Sequence, residues 1–154
     1  MALIAFGVAV LLLAVALIDM DTMEIPNGLV IALIPLAVLV VWLQPEVTLL
    51  SRGIGFLAVS LPMLLITMII DGAFGGGDIK LMAVCGFLLG WQNTLLAFFI
   101  AVMLAGSISF WLILRKKAKT GNHIAFGPYL CLGVVTSLLY GKEIIRWYLN
   151  LSGM

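Results

Sequence analysis

Phe74-Gly75-Gly76-Gly77-Asp78-Ile79-Lys80 sets an ionisable carboxylate behind three glycines in a chain that otherwise reads as lipid-soluble. A charged side chain at mid-bilayer costs roughly 2.5–3.5 kcal/mol on insertion scales, so an acid in such a setting usually faces a polar cavity and marks a functional site. The apolar run that follows, residues 79–89, is short. Its eleven residues rise only about 16 Å as a helix, so it tilts, extends into its glycine flanks or stops partway across. Irregular backbone is tolerated in a membrane where it lines a cavity, which suits a partial span opening on glycines. A second acid, Asp19, stands directly after the first apolar segment, and two aspartates in similar settings suggest a dyad.

Composition extends this reading to the whole chain. Of 154 residues, 64% are hydrophobic and 10% charged, and mean hydropathy is +1.28, far from the balance of a soluble domain. At about 20 apolar residues per crossing the chain accommodates about six spans and almost no extramembrane domain. The expected fold is therefore an all-α, polytopic transmembrane helical bundle forming one domain over residues 1–154. The expected spans are 3–18, 28–43, 54–70, 79–89, 94–114 and 124–140, with a tail from 141 to 154 that reads as an interfacial helix carrying Trp147 and Tyr148. The first span lacks a basic flank and a small-residue cleavage site, and Asp19, Asp21 and Glu24 follow it, so it reads as a retained helix.

Net charge of +1 without a basic stripe argues against nucleic acid as a partner, and the lipid bilayer is the partner the composition implies. Cys85 and Cys131 each lie inside an apolar segment, with no Cys-x-x-Cys pair and a single histidine, His123. They read as buried small hydrophobes, His123 reads as a loop or interfacial residue, and neither a metal site nor a cofactor is expected. Arg115, Lys116, Lys117 and Lys119 form the one basic cluster, which by the positive-inside rule makes the fifth connection cytoplasmic. Alternation then puts Lys80 on that side and Arg52, Lys142 and Arg146 on the other, a bias of five to three. Asp19 and Asp78 fall at the cytoplasmic face.

Each acid has a plainer reading. Asp19 either ends its span at the headgroups or serves a cavity, while Asp21 and Glu24 read as solvated loop acids. Asp78 could cap the helix that follows it, although capping does not call for three preceding glycines. Glycine also admits close approach of another backbone, the access a protease needs to hold an extended substrate. Two adjacent carboxylates cannot both ionise readily, so they share a proton, one acting as general base to water and the other as general acid. Such a pair hydrolyses peptides without a metal or a nucleophilic side chain. The same two acids would also serve a small proton- or cation-coupled transporter, although no second broken segment around Asp19 matches 75–78. A purely structural membrane subunit is a further alternative.

Three blocks carry a resemblance. Asp19 followed by Ile25-Pro26-Asn27, then Gly75-Gly76-Gly77-Asp78-Ile79-Lys80-Leu81, then Phe126-Gly127-Pro128-Tyr129 occur in that order. The chain thereby resembles the type IV prepilin peptidases, which belong with the GxGD intramembrane aspartyl proteases. The resemblance implies a multi-pass plasma-membrane endopeptidase that removes the short leader of prepilin-like, preflagellin or tight-adherence pilin precursors at the cytoplasmic face. Asp19 and Asp78 would be its catalytic pair. Asp19 follows only eighteen residues, so the expectation is a short form without the amino-terminal zinc and methyltransferase segment of larger members. Ala125 departs from the proline often found before the FGP block.

The remaining candidates shape the site. Pro26 presets φ in the first turn of the second helix beside Asp19, with Asn27 next to it, and Gly127-Pro128 does the same at the start of the sixth span. Lys80 pairs with a carboxylate or anchors to headgroups. Gly75, Gly76 and Gly77 give access to Asp78, whereas Gly86, Gly90, Gly106 and Gly133 read as helix-packing positions. The first and third connections make an acidic mouth, where Asp21 and Glu24 would meet the basic leader that the resemblance implies.

Overall fold

The computed structural model describes residues 2–114 and 125–151, and every regular element among them is helical. These elements are α1 (Ala2–Thr22), α2 (Asn27–Leu43), α3 (Leu49–Ala58), α4 (Ser60–Ile69), α5 (Gly76–Leu89), α6 (Trp91–Leu114) and α7 (Gly127–Leu151). α3 and α4 form nearly one rod, interrupted only at Val59 (φ −112, ψ −41), so the described chain makes six rods. Leu3–Thr22, Leu49–Ile69 and Trp91–Trp111 are long and apolar enough to cross a membrane, and Asn27–Leu43 is a shorter apolar helix. Large apolar side chains such as Phe6, Leu13 and Leu17 on α1 stay exposed on the bundle's outside, as suits a protein dissolved in lipid. This is a membrane helical bundle.

α5 is its centre. It touches α2, α3, α4, α6 and α7, and buries Leu81, Met82, Cys85, Leu88 and Leu89. Gly86 and Gly55 admit the close crossing of α5 and α3, because a Cβ on either would run into the backbone of the other. Gly133 does the same for α7 against the Ala97 carbonyl of α6. Gly106 has open space around its Cβ position, so it is not the packing site expected. Gly90 caps α5 with φ +77, a conformation that favours glycine.

The helices run past the expected spans wherever polar residues continue a regular backbone. α1 extends through Asp19 to Thr22, so Asp19 and Asp21 lie on the helix instead of after it. α5 takes in Gly76 and Gly77, and its fourteen residues rise about 21 Å. The tail is no separate interfacial helix but the continuation of α7 to Leu151. Arg115, Lys116, Lys117, Lys119 and His123 lie outside the described residues.

Arg52 is the largest departure from expectation. Instead of being a loop charge it is fully buried near the start of α3, donating to Leu88 O at 2.7 Å, Phe87 O at 3.2 Å, Gln44 O at 3.2 Å and Val40 O at 3.4 Å. Phe87 and Leu88 lie in the last turn of α5, where helix carbonyls lack intrahelical donors, and Val40 and Gln44 lie in the last turn and at the C-cap of α2, so both sets sit at the negative end of a helix dipole. One guanidinium therefore ties two helix ends together. It lies at the end of α5 opposite Asp78.

Candidate active site

Asp19 reaches the site from the last turns of α1. It is 4% exposed, and one carboxylate oxygen accepts the Gly127 N–H at 3.0 Å. That contact requires glycine: a Cβ at 127 would lie 2.5 Å from Asp19 Oδ2. The chain leaves α1 through Met23, at φ +54, with its N–H bonded to the Asp19 carbonyl at 2.9 Å. A sharp turn then brings Ile25 back beneath the bundle, where it is buried.

Asp78 arrives from the other side as the third residue of α5. Its Oδ2 accepts the Gly75 N–H at 3.3 Å, which is one half of a capping box; the reciprocal half cannot form because Gly75 has no side chain. Capping is thus part of what Asp78 does, but it occupies one oxygen. The other, Oδ1, is buried with no hydrogen-bond partner among the described residues. Gly77 sets the approach of α5, since a Cβ there would stand 2.6 Å from Ile25 Cβ. Close packing of α5 on the α1–α2 connection brings the two acids, 59 positions apart in sequence, to one place.

That place is a cavity of about 260 Å³ lined by Asp19, Met23, Glu24, Ile25, Gly75, Gly76, Gly77 and Asp78. The three glycines form one wall, and the Cβ position of Gly76 meets nothing within 4 Å, so this wall offers bare backbone. Two buried carboxylates beside exposed peptide groups can hold an extended chain and move protons to and from it.

The other sequence candidates divide. Glu24 is exposed and lines the cavity, whereas Asp21 is exposed on α1 and does not. Pro26 is the N-cap of α2, one position earlier than its expected first-turn place, and its carbonyl accepts from Leu29 and Val30. Lys80 pairs with neither a carboxylate nor, among the described contacts, anything but Asn27, donating to its Oδ1 at 3.0 Å and so joining the second turn of α5 to the first residue of α2. Gly127 touches Asp19, and Pro128 sits in the first turn of α7, where its missing N–H costs nothing. Cys85 and Cys131 are buried thiols.

Sequence reasoning assigned no role to Phe74, Phe126 or Ile25. Phe126 packs its ring on Phe74 at 5.6 Å and on Phe98 at 6.5 Å, so it joins the residues just before Gly75 and Gly127 to α6. Their place directly before the two glycine blocks was the available signal.

A sequence model of the type IV leader peptidase family matches residues 6–110. A prepilin leader peptidase/N-methyltransferase of Bacillus subtilis (strain 168) is 32% identical over 142 residues, covering 92% of this chain and 57% of that protein. Proteins of the same name from Stutzerimonas stutzeri and Pseudomonas aeruginosa are 30% and 29% identical, each over 92% of this chain and 50% and 51% of their own lengths. The chain spans about half the length of the curated relatives it matches. No solved structure matches it.

Proposed function

The chain belongs to the type IV leader peptidase family, and from that premise we propose that it is a multi-pass aspartic endopeptidase that removes the leader of prepilin-like precursors at the cytoplasmic membrane face. The observation that carries the proposal is the convergence of two buried carboxylates, Asp19 and Asp78, on one glycine-walled cavity. Residues 1–154 act as one integral-membrane peptidase domain. Family membership favours this over the ion-transport reading of the same acids.

The chemistry follows from the pair. With one proton between them, the ionised carboxylate takes a proton from water as its oxygen attacks the scissile carbonyl carbon, and the protonated one donates to the carbonyl oxygen. Collapse of the tetrahedral intermediate returns a proton to the departing amine and breaks the C–N bond. Gly75, Gly76 and Gly77 leave room for the substrate backbone, Gly127 holds Asp19, and the Lys80–Asn27 bond with Pro26 and Pro128 fixes the helix starts around them. Glu24 at the cavity and Asp21 nearby give the mouth an acidic rim that attracts a basic leader. The cytoplasmic assignment rests on Arg115, Lys116, Lys117 and Lys119, which lie in sequence between α6 and α7, and α7 starts beside Asp19 at the end of α1.

Incubating the purified protein with a prepilin-like precursor and reading the products by mass spectrometry tests the proposal. Cleavage at one bond between leader and mature segment is expected. An intact precursor under conditions where the protein is folded, with proton flux in reconstituted vesicles instead, would overturn it.

A further inference from the structure

The end of the bundle opposite Asp19 and Asp78 carries a larger polar cavity, about 380 Å³, between the start of α3, the α5–α6 junction and the last turns of α7. Its charged lining is Lys142, Arg146 and Glu46, one more cation than anion. Lys142 and Arg146 are four residues apart on α7 and share a face. Turning around the helix from that face come Ile145 and Leu149, which line this cavity and also an adjoining groove of about 470 Å³ between α6 and α7. The groove is walled by apolar side chains, Leu95 and Phe99 among them, with Trp147 and Tyr148 as the amphipathic rings typical of a membrane interface.

We propose that these two depressions hold one anionic phospholipid, with its phosphate against Lys142 and Arg146 and an acyl chain passing Ile145 and Leu149 into the α6–α7 groove. Charge complementarity selects the occupant, because a polar pocket with excess positive charge runs directly into an apolar channel of lipid-facing residues. Lys142 is held by Glu46 at 2.8 Å, but both side chains are about half exposed, and a solvent-exposed ion pair is weak, so a phosphate can compete for the ammonium. The same ammonium holds the Glu46 carboxyl below its usual pKa, so Glu46 remains an anion at neutral pH and opposes the phosphate. Thr48, Ser51, Gln92 and Asn93 line the same cavity and bring polar side chains to its wall for a headgroup hydroxyl. Phosphatidylglycerol supplies both the phosphate and the hydroxyl.

The test is native mass spectrometry of the full chain released from nanodiscs of equimolar phosphatidylglycerol and phosphatidylcholine with matched acyl chains. One phosphatidylglycerol per chain is expected, retained about tenfold over phosphatidylcholine. Lys142→Gln with Arg146→Gln should abolish the preference, and Glu46→Gln should raise it, a gain that misfolding cannot imitate. Equal retention of the two lipids, a preference unmoved by these variants, or a lipid-free dimer showing that a second copy covers the face would overturn the proposal. The readout involves no cleavage, so it stands or falls separately from the peptidase reading.

Discussion

The Gly127 backbone N–H donates to the Asp19 carboxylate across 3.0 Å, joining the end of α1 to the start of α7 through residues 108 positions apart. A side chain at 127 and the observed Asp19 rotamer are mutually exclusive, because the added Cβ would lie 2.8 Å from Asp19 Cγ. Gly127→Ala should therefore lower kcat by on the order of a hundredfold through misplacement of the carboxylate, with helix content preserved. Gly28→Ala, where the Cβ meets nothing within 4 Å, should leave turnover unchanged. Initial rates beside circular dichroism check both.

The approach of α5 to the α1–α2 connection yields a second expectation. Gly77→Ala places a Cβ 2.6 Å from Ile25 Cβ, so α5 must shift and take Asp78 with it. Activity should fall, and Ile25→Gly, which removes the obstructing atom, should restore part of it where Ile25→Ala does not. Measuring kcat/KM for the two double variants against Gly77→Ala decides this.

Arg52 affects stability instead of chemistry. Arg52→Met takes the guanidinium donor from the Phe87 and Leu88 carbonyls, while Val40 and Gln44 keep the N–H groups of Gln44 and Val47, and each buried acceptor so stranded costs about 1–3 kcal/mol. A lower unfolding midpoint in detergent is expected, with kcat per folded molecule close to wild type. A large loss of kcat at unchanged stability would show that this end of α5 governs Asp78.

Both acids could be picked out from the sequence because charge is conspicuous in an apolar chain, and the glycine run beside Asp78 marked close backbone approach. Helix ends were harder to read. Hydropathy fades at Ile18 and Tyr140, but backbone hydrogen bonding continues to Thr22 and Leu151, so lipid solubility and helicity stop at different residues. Arg52 was counted only as a charge on the non-cytoplasmic side, because it falls between two expected spans; its partners are carbonyls at the ends of α2 and α5, brought in by tertiary packing. The local signal was Thr48, whose hydroxyl oxygen accepts the Ser51 N–H and starts α3 before Arg52. Lys80 with Asn27, and Gly77 with Ile25, are likewise pairings that only the assembled bundle makes.

Sharing one proton between two carboxylates gives a rate that falls on both sides of an optimum. At low pH both acids are protonated and no base remains; at high pH both are ionised and no acid remains. The profile of kcat/KM should be bell-shaped, with limbs that belong to the Asp19–Asp78 pair and not to either residue alone. A flat profile with chemistry rate-limiting would contradict a shared proton.

The most direct test of the dyad is precursor cleavage by Asp19→Asn and Asp78→Asn, assayed in detergent beside Asp21→Asn. The amide keeps the shape of the carboxylate and cannot serve as the general base, so each of the first two should lose detectable cleavage while inserting and folding normally. Asp21→Asn, outside the cavity, should keep turnover within a fewfold of wild type. Near-normal turnover by either Asp19→Asn or Asp78→Asn would contradict the assignment of these two acids as the catalytic pair.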